Sequence, residues 1–267
     1  MSANDPIFVG GVPRSGTTLL RVILDTHPNI SCGPELRVVP ALANLWVAAR
    51  TSGQPLLSQA YGVDEEQLRL IFADLIMAFL RPAWQASAKP RVAEKTPWNL
   101  TVFPHLRRLF PESPLIHVIR DGRDVVTSRL ERDRAAAGSA PFDAVQVASV
   151  RAREWVQGME IRKSILEDPE LARRYHELRY EDLVRSPEEV LRGVFAFVGE
   201  PYDPAVLSFH RVPREVSGSE EWSAEAVRKP ISEHSIGRWR ERLEPAVRDV
   251  VMQIQSRTLR ELGYPVE

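Results

Sequence analysis

Apolar residues along this chain fall into two kinds of run. Ile7 to Pro13 and Leu115 to Ile119 are short and nearly uninterrupted, the pattern of strands buried on both faces. His176 to Arg179 reads as a further short strand. Elsewhere the apolar positions recur at helical spacing: Thr17 to Asp25, Asp64 to Leu80, Phe142 to Leu166, Pro187 to Val198 and Pro245 to Leu262. Another helical stretch follows Asp121-Gly122, and one more begins near Val38. Asp64 is a plausible N-cap, with Pro82 expected to end that helix, while Pro187 and Gly199 bracket theirs in the usual order. Strands alternating with helices predict an α/β fold of three layers, a central parallel sheet flanked by helices. Arg211 to Ile236 has no clear period and holds Pro, Gly, Ser and mixed charges, and a loop of that length in a compact domain is usually functional. The expectation is a single domain over residues 1–267, with a lid or substrate loop at about 211–236.

Composition narrows the function classes. The 267 residues are 43% hydrophobic and 27% charged, ordinary for a soluble protein. A net charge of −1 argues against chain-wide nucleic-acid binding but permits a local basic pocket. Cys32 is the sole cysteine, so no intrachain disulfide can form, which suits a reducing compartment. Met1 to Pro6 has neither a basic start nor a long apolar stretch, and no apolar run reaches about 18 residues. A cytoplasmic protein without a membrane segment is therefore expected. The six histidines lack ligand spacing, so no metal is expected either.

The chemistry starts between the first strand and helix, in Gly10-Gly11-Val12-Pro13-Arg14-Ser15-Gly16-Thr17-Thr18. Gly11 and Gly16 stand five apart, as in a P-loop, where glycines let successive amides converge on one anion. The next helix adds the positive end of its dipole, and the Ser15, Thr17 and Thr18 hydroxyls add donors. Thr17 occupies the place of the lysine that a triphosphatase needs, and Arg14 supplies a cation from inside the loop. That pattern suits one phosphate with a small substituent better than a magnesium-bridged triphosphate. A second cluster, Ile119-Arg120-Asp121-Gly122-Arg123-Asp124, follows the second long strand, at the carboxyl end where ligands of parallel sheets collect. Ser128 and Arg132 are spaced i,i+4 and share a helix face, so with Arg120 they suit a terminal phosphate. Taken alone, this run also reads as a solvated turn, and Arg123 and Asp124 read as structural.

Pro13-Arg-Ser-Gly-Thr-Thr18 resembles the 5′-phosphosulfate loop of sulfotransferases that use 3′-phosphoadenosine-5′-phosphosulfate (PAPS). The wider string from Phe8 to Leu19, with Leu24-Asp25, His27-Pro28 and Cys32-Gly33, is most similar to tyrosylprotein sulfotransferases. The resemblance implies the P-loop-type sulfotransferase fold, PAPS as co-substrate and the bisphosphate PAP as product. It implies that Arg14, Ser15, Gly16, Thr17 and Thr18 hold the 5′ side, and that Arg120, Ser128 and Arg132 hold the 3′-phosphate. Tyr180 would also contact the nucleotide, and Lys229 and Arg238 would belong to a lid over it. By the same resemblance Glu35 is the base, Lys95 the leaving-group lysine, and Ser217 the serine near the transferring group. Arg14 joins them in catalysis. Arg37, two residues beyond Glu35, would position Glu35 or an acidic acceptor. His27 reads as a structural turn residue.

The implied acceptor is a tyrosine-containing peptide or a small phenol, because a carboxylate assists deprotonation of a phenol, pKa near 10, more easily than that of an alcohol. Val38, Val39, Pro40, Trp46 and the Asp64 to Leu80 helix follow the tyrosylprotein pattern and favour a peptide groove, whereas Ala41 stands where that subfamily has an arginine. Sulfation of a small alcohol or glycan is the alternative acceptor chemistry, and a homodimer is compatible with the resemblance. Two readings of other classes are a P-loop kinase, which Thr17 disfavours, and a nucleotide-binding module without catalysis, which Glu35, Lys95 and Ser217 together disfavour.

Overall fold

The structure, a computed structural model, describes residues 5–213 and 227–266. Five parallel strands, β1 (Ile7–Gly10), β2 (Ile30–Cys32), β3 (Arg91–Lys95), β4 (Leu115–Ile119) and β5 (Tyr175–Arg179), form one sheet in the order β2-β3-β1-β4-β5. The chain lays β2 and β3 on one side of β1, then returns to add β4 and β5 on the other. The crevice of such a sheet lies at that reversal, beyond the carboxyl ends of β1 and β4.

Twelve α-helices accompany the sheet among the described residues: α1 (Thr17–Thr26), α2 (Val38–Ala48), α3 (Gln54–Tyr61), α4 (Glu65–Ser87), α5 (Phe103–Leu109), α6 (Gly122–Ala137), α7 (Ala144–Glu167), α8 (Pro169–Ala172), α9 (Tyr180–Arg185), α10 (Pro187–Val198), α11 (Trp239–Arg242) and α12 (Pro245–Glu261). Alternation along the central strand shows why two layers of helix are needed. Ile7 and Val9 pack with Leu20, Ile23 and Leu24 of α1 and Leu191, Val194 and Phe195 of α10 on one face. Phe8 points the other way, into Val39, Ala43, Phe72, Ile76, Phe103 and Leu106 from α2, α4 and α5. Both faces of β1 are buried, so its sequence is apolar throughout. No described helix is long and apolar enough to cross a membrane.

The strands and helices expected from periodicity are present, with two differences. Asp64 caps α4 with a capping box through Gln67, but Pro82 does not end the helix, which runs to Ser87. The last turn carries Trp84, which packs on the same core as Leu68, Phe72 and Ile76 and donates from Nε1 to Lys89 O at 2.8 Å. That packing outweighs the proline penalty of about 3 kcal/mol. β2 and β3 carried no clear strand signal, being short and containing Ser31, Arg91, Glu94 and Lys95. The neighbouring strands bury these polar residues and supply the ladder.

Candidate active site

Every strand delivers one part of the site just past its carboxyl end. β1 leads to the loop around Arg14, β2 to Glu35, β3 ends on Lys95, β4 leads to Arg120 and β5 to Tyr180. Arg14, Glu35, Arg120 and Tyr180 line a single cavity of about 750 Å³, together with Lys229 to Ser232, Ser235 and Arg238. The volume suits a nucleotide-sized ligand.

Local geometry shows how the loop is held. Gly16 caps α1 at φ 104°, and Arg14 itself lies in the left-handed region at φ 79°. A side chain at that φ costs about 1–2 kcal/mol, so the contacts of Arg14 must hold it there. Its Nε donates to Ser128 Oγ on α6 at 3.0 Å, and its carbonyl accepts from Arg120 Nη1 at 3.1 Å. Arg120 also donates from Nη2 to Ser235 O and stacks 4.4 Å from the centre of the Tyr180 ring. Tyr180 in turn packs against Gly16, where an added Cβ would lie 2.5 Å from Cδ2. The phosphate loop, the residue after β4, the start of α9 and the returning segment are thus interlocked.

This end of the cavity is crowded with positive charge. Burial pushes the Arg14 guanidinium down to about 10, and Arg120, Arg132 and Arg129 push it in the same direction. The buried Nε of Arg120 has no hydrogen-bond partner among the described residues. Guanidinium groups gathered against one another around a hydroxyl form a cradle for an anion.

Next to Thr18 the site holds a carboxylate and an ammonium. Lys95 Nζ donates to Glu35 Oε1 at 2.8 Å and to Thr18 Oγ1 at 3.4 Å. The Lys95 side chain is fully buried and that of Glu35 only 13% exposed. β3 carries Lys95 into the interior, between α1 and the loop after β2. Arg37 approaches Glu35 Oε2 at 3.6 Å from a largely exposed position, so it can orient the carboxylate from the rim.

The structure therefore brings together Arg14, Gly16, Thr17, Thr18, Glu35, Arg37, Arg120, Ser128, Arg132, Tyr180 and Lys229 around one cavity, with Lys95 behind Glu35. Ser15 is buried within the loop and does not line the cavity. Ser217 lies outside the described residues. Arg123 and Asp124 are structural: Arg123 pairs with Asp121 at 2.7 Å and stacks on Trp239, while Asp124 accepts from the amides of Gly237 and Trp239. His27 is buried, bridges Asn29 N and Pro201 O through its two ring nitrogens, and stacks on Phe195. It is a turn residue, as expected. Of the residues expected to line a peptide groove, only Pro40 reaches the cavity; Val39 and Trp46 are buried in the core with the helix now seen as α4. Trp98, 43% exposed at the cavity edge, was missed in the sequence, as was Glu94. The latter carried no signal in the sequence, because Arg91 and Lys95 flank it in a strand with only two apolar residues.

Residues 6–204 match the model of the Sulfotransferase family. The chain belongs to the sulfotransferase family. It is 32% identical over 265 residues to protein-tyrosine sulfotransferase A of Caenorhabditis elegans, covering 97% of this chain and 67% of that protein. To human protein-tyrosine sulfotransferase 1 it is 31% identical over 269 residues, covering 97% and 69%. Among solved structures, the sulfotransferase domain from the curacin biosynthetic pathway superposes with a TM-score of 0.67 at 23% identity, covering 99% of both chains. A mouse sulfotransferase complexed with PAP superposes at 0.59 and 14% identity, covering 97% of this chain and 86% of that one. The sulfotransferase fold expected from the sequence is the fold observed.

Proposed function

We propose that this sulfotransferase moves the sulfuryl group of PAPS onto a phenolic hydroxyl, with a peptide tyrosine as the acceptor. One observation carries the reading: a single cavity is lined both by an arginine cradle and by Glu35, which the buried Lys95 holds from behind. The cradle fits the nucleotide, whose anionic groups need cations at two separate places. Arg120, Ser128 and Arg132 would hold the 3′-phosphate, and Arg14, Gly16, Thr17 and Thr18 the 5′ side. Tyr180 and Lys229 would contact the remainder. PAPS supplies the sulfuryl group and leaves as PAP.

The acceptor end follows from the pair. Glu35 takes the proton from the acceptor hydroxyl, and a phenol near pKa 10 yields it far more readily than an alcohol. Lys95 holds the Glu35 carboxylate in place beforehand. Once Glu35 is protonated its attraction for the ammonium falls, and the positive charge of Lys95 turns to the oxygen on which negative charge grows. The names of the relatives, protein-tyrosine sulfotransferases, support the tyrosine acceptor.

Turnover of PAPS with an acidic tyrosine peptide, its Phe control, p-nitrophenol and a sugar tests this directly. The tyrosine peptide should be sulfated and the Phe control should not. Glu35→Gln should lower kcat by roughly 10²–10⁴ while PAP affinity by calorimetry stays nearly unchanged. A higher kcat/KM for the sugar than for either phenol overturns the acceptor assignment.

A further inference from the structure

The β2–β3 ladder ends early. Cys32 pairs with Ala93, but β3 continues through Glu94 and Lys95, which pair only with Phe8 and Val9 of β1 on its other side. The loop that carries Glu35 therefore leaves the sheet just where the site begins. Two side chains of β3 replace the missing ladder. Lys95 grips the Glu35 carboxylate, and Glu94, pointing the opposite way, accepts from the backbone N–H of Leu36 at 3.2 Å. Consecutive residues of β3 thus hold consecutive residues of the loop, one by the side chain and one by the backbone.

Glu94 is 2% exposed and its carboxyl group has further partners. Its Oε1 accepts from Thr96 Oγ1 at 2.7 Å, the residue after Lys95, and its Oε2 accepts from Asn99 Nδ2, which also donates to Val9 O at 3.1 Å. One buried carboxylate is tied to the loop of the base, to the segment after the lysine, and to the end of β1 that opens the phosphate loop. A buried acid is costly unless it is well bonded, and an apolar residue would fill β3 more cheaply.

We propose that Glu94 is a positioning residue for sulfuryl transfer, setting the place of Glu35 relative to Lys95 through Leu36. This rests on the reading of Glu35 as the base. Glu94 touches neither substrate; it acts on the backbone beside the group that does. A misplacement of about 1 Å in such a group can cost on the order of 100-fold in rate.

The test compares wild type, Glu35→Gln, Glu94→Gln, Glu94→Asp and the Glu35→Gln/Glu94→Gln double variant. The readouts are kcat with PAPS and the better of an acidic tyrosine peptide or p-nitrophenol, PAP affinity by calorimetry, and amide exchange over residues 33–39. Glu94→Asp keeps the carboxyl group but retracts it by one methylene from Leu36, so it serves if the Gln variant does not fold. The Glu94 variants should lose roughly 10- to 100-fold in kcat with PAP affinity within about threefold, and amide exchange at Leu36 should rise at least about tenfold. The double variant should be no slower than Glu35→Gln alone, because Glu94 acts through that group. Multiplying losses, a parallel fall in PAP affinity, or wild-type kcat in the folded Glu94 variants overturns the inference while leaving Glu35 as the base. Wild-type kcat in Glu35→Gln, or a wild-type protein inert with both acceptors, overturns the underlying reading and this inference with it.

Discussion

Replacing Arg120 by alanine tests the division of the cavity into two anion sites. The side chain has three local duties: a bond to Arg14 O at 3.1 Å, a bond to Ser235 O, and stacking on Tyr180 at 4.4 Å. Its loss therefore disturbs the loop and the returning segment whatever ligand is present. Comparing two ligands removes that common disturbance. Both PAP and adenosine 5′-monophosphate need the 5′ loop, and only PAP carries the 3′-phosphate. A buried charge-assisted contact of this kind contributes about 2–4 kcal/mol, roughly 30- to 1,000-fold in affinity. Relief of the repulsion that Arg120 exerts on Arg14 should place the result toward the lower end. Calorimetry on wild type and Arg120→Ala with both ligands forms a cycle whose coupling term is the 3′-phosphate contact. An equal loss for the two ligands would refute the assignment and leave Arg120 a purely structural residue.

Three further outcomes are expected. Gly16→Ala places a Cβ 2.5 Å from Tyr180 Cδ2 at φ 104°, so stability should fall by about 2 kcal/mol or more and PAP affinity should fall with it; a wild-type Tm and affinity would contradict this. Burial raises the Glu94 carboxyl from 4.5 to about 7, so the folded chain keeps a proton that the unfolded chain releases. Its contribution is full below about pH 4.5 and is lost as pH rises through about 7, a fall of up to about 3 kcal/mol that Glu94→Gln should abolish in urea titrations at pH 4.5 and 8. A pH slope unchanged in Glu94→Gln would locate the titrating group elsewhere. Asp124→Asn sets an amide NH₂ against one of the Gly237 and Trp239 N–H donors, so exchange over residues 234–240 should quicken and PAP should bind about tenfold more weakly. Unchanged exchange there would show that other contacts hold the segment.

What the sequence by itself determined is local. β1 and β4 announce themselves as short apolar runs, broken only by His117, and α10 because Pro187 and Gly199 mark its ends. The phosphate loop is legible for the same reason, since its glycines, hydroxyls and Arg14 act within a few residues of one another. Tertiary structure decided the rest. Glu35 and Lys95 meet across 60 residues, and Arg14 reaches Ser128 across 114, contacts that depend on strand order and that no periodicity encodes. Pro82 continues its helix because Trp84 has a core to pack against. Lys95 and Glu94 are charges in the sequence that the fold buries, because β3 lies inside the sheet between β2 and β1 and each side chain meets partners at close range. A charge's burial depends on what packs around it, and here those neighbours come from distant parts of the chain.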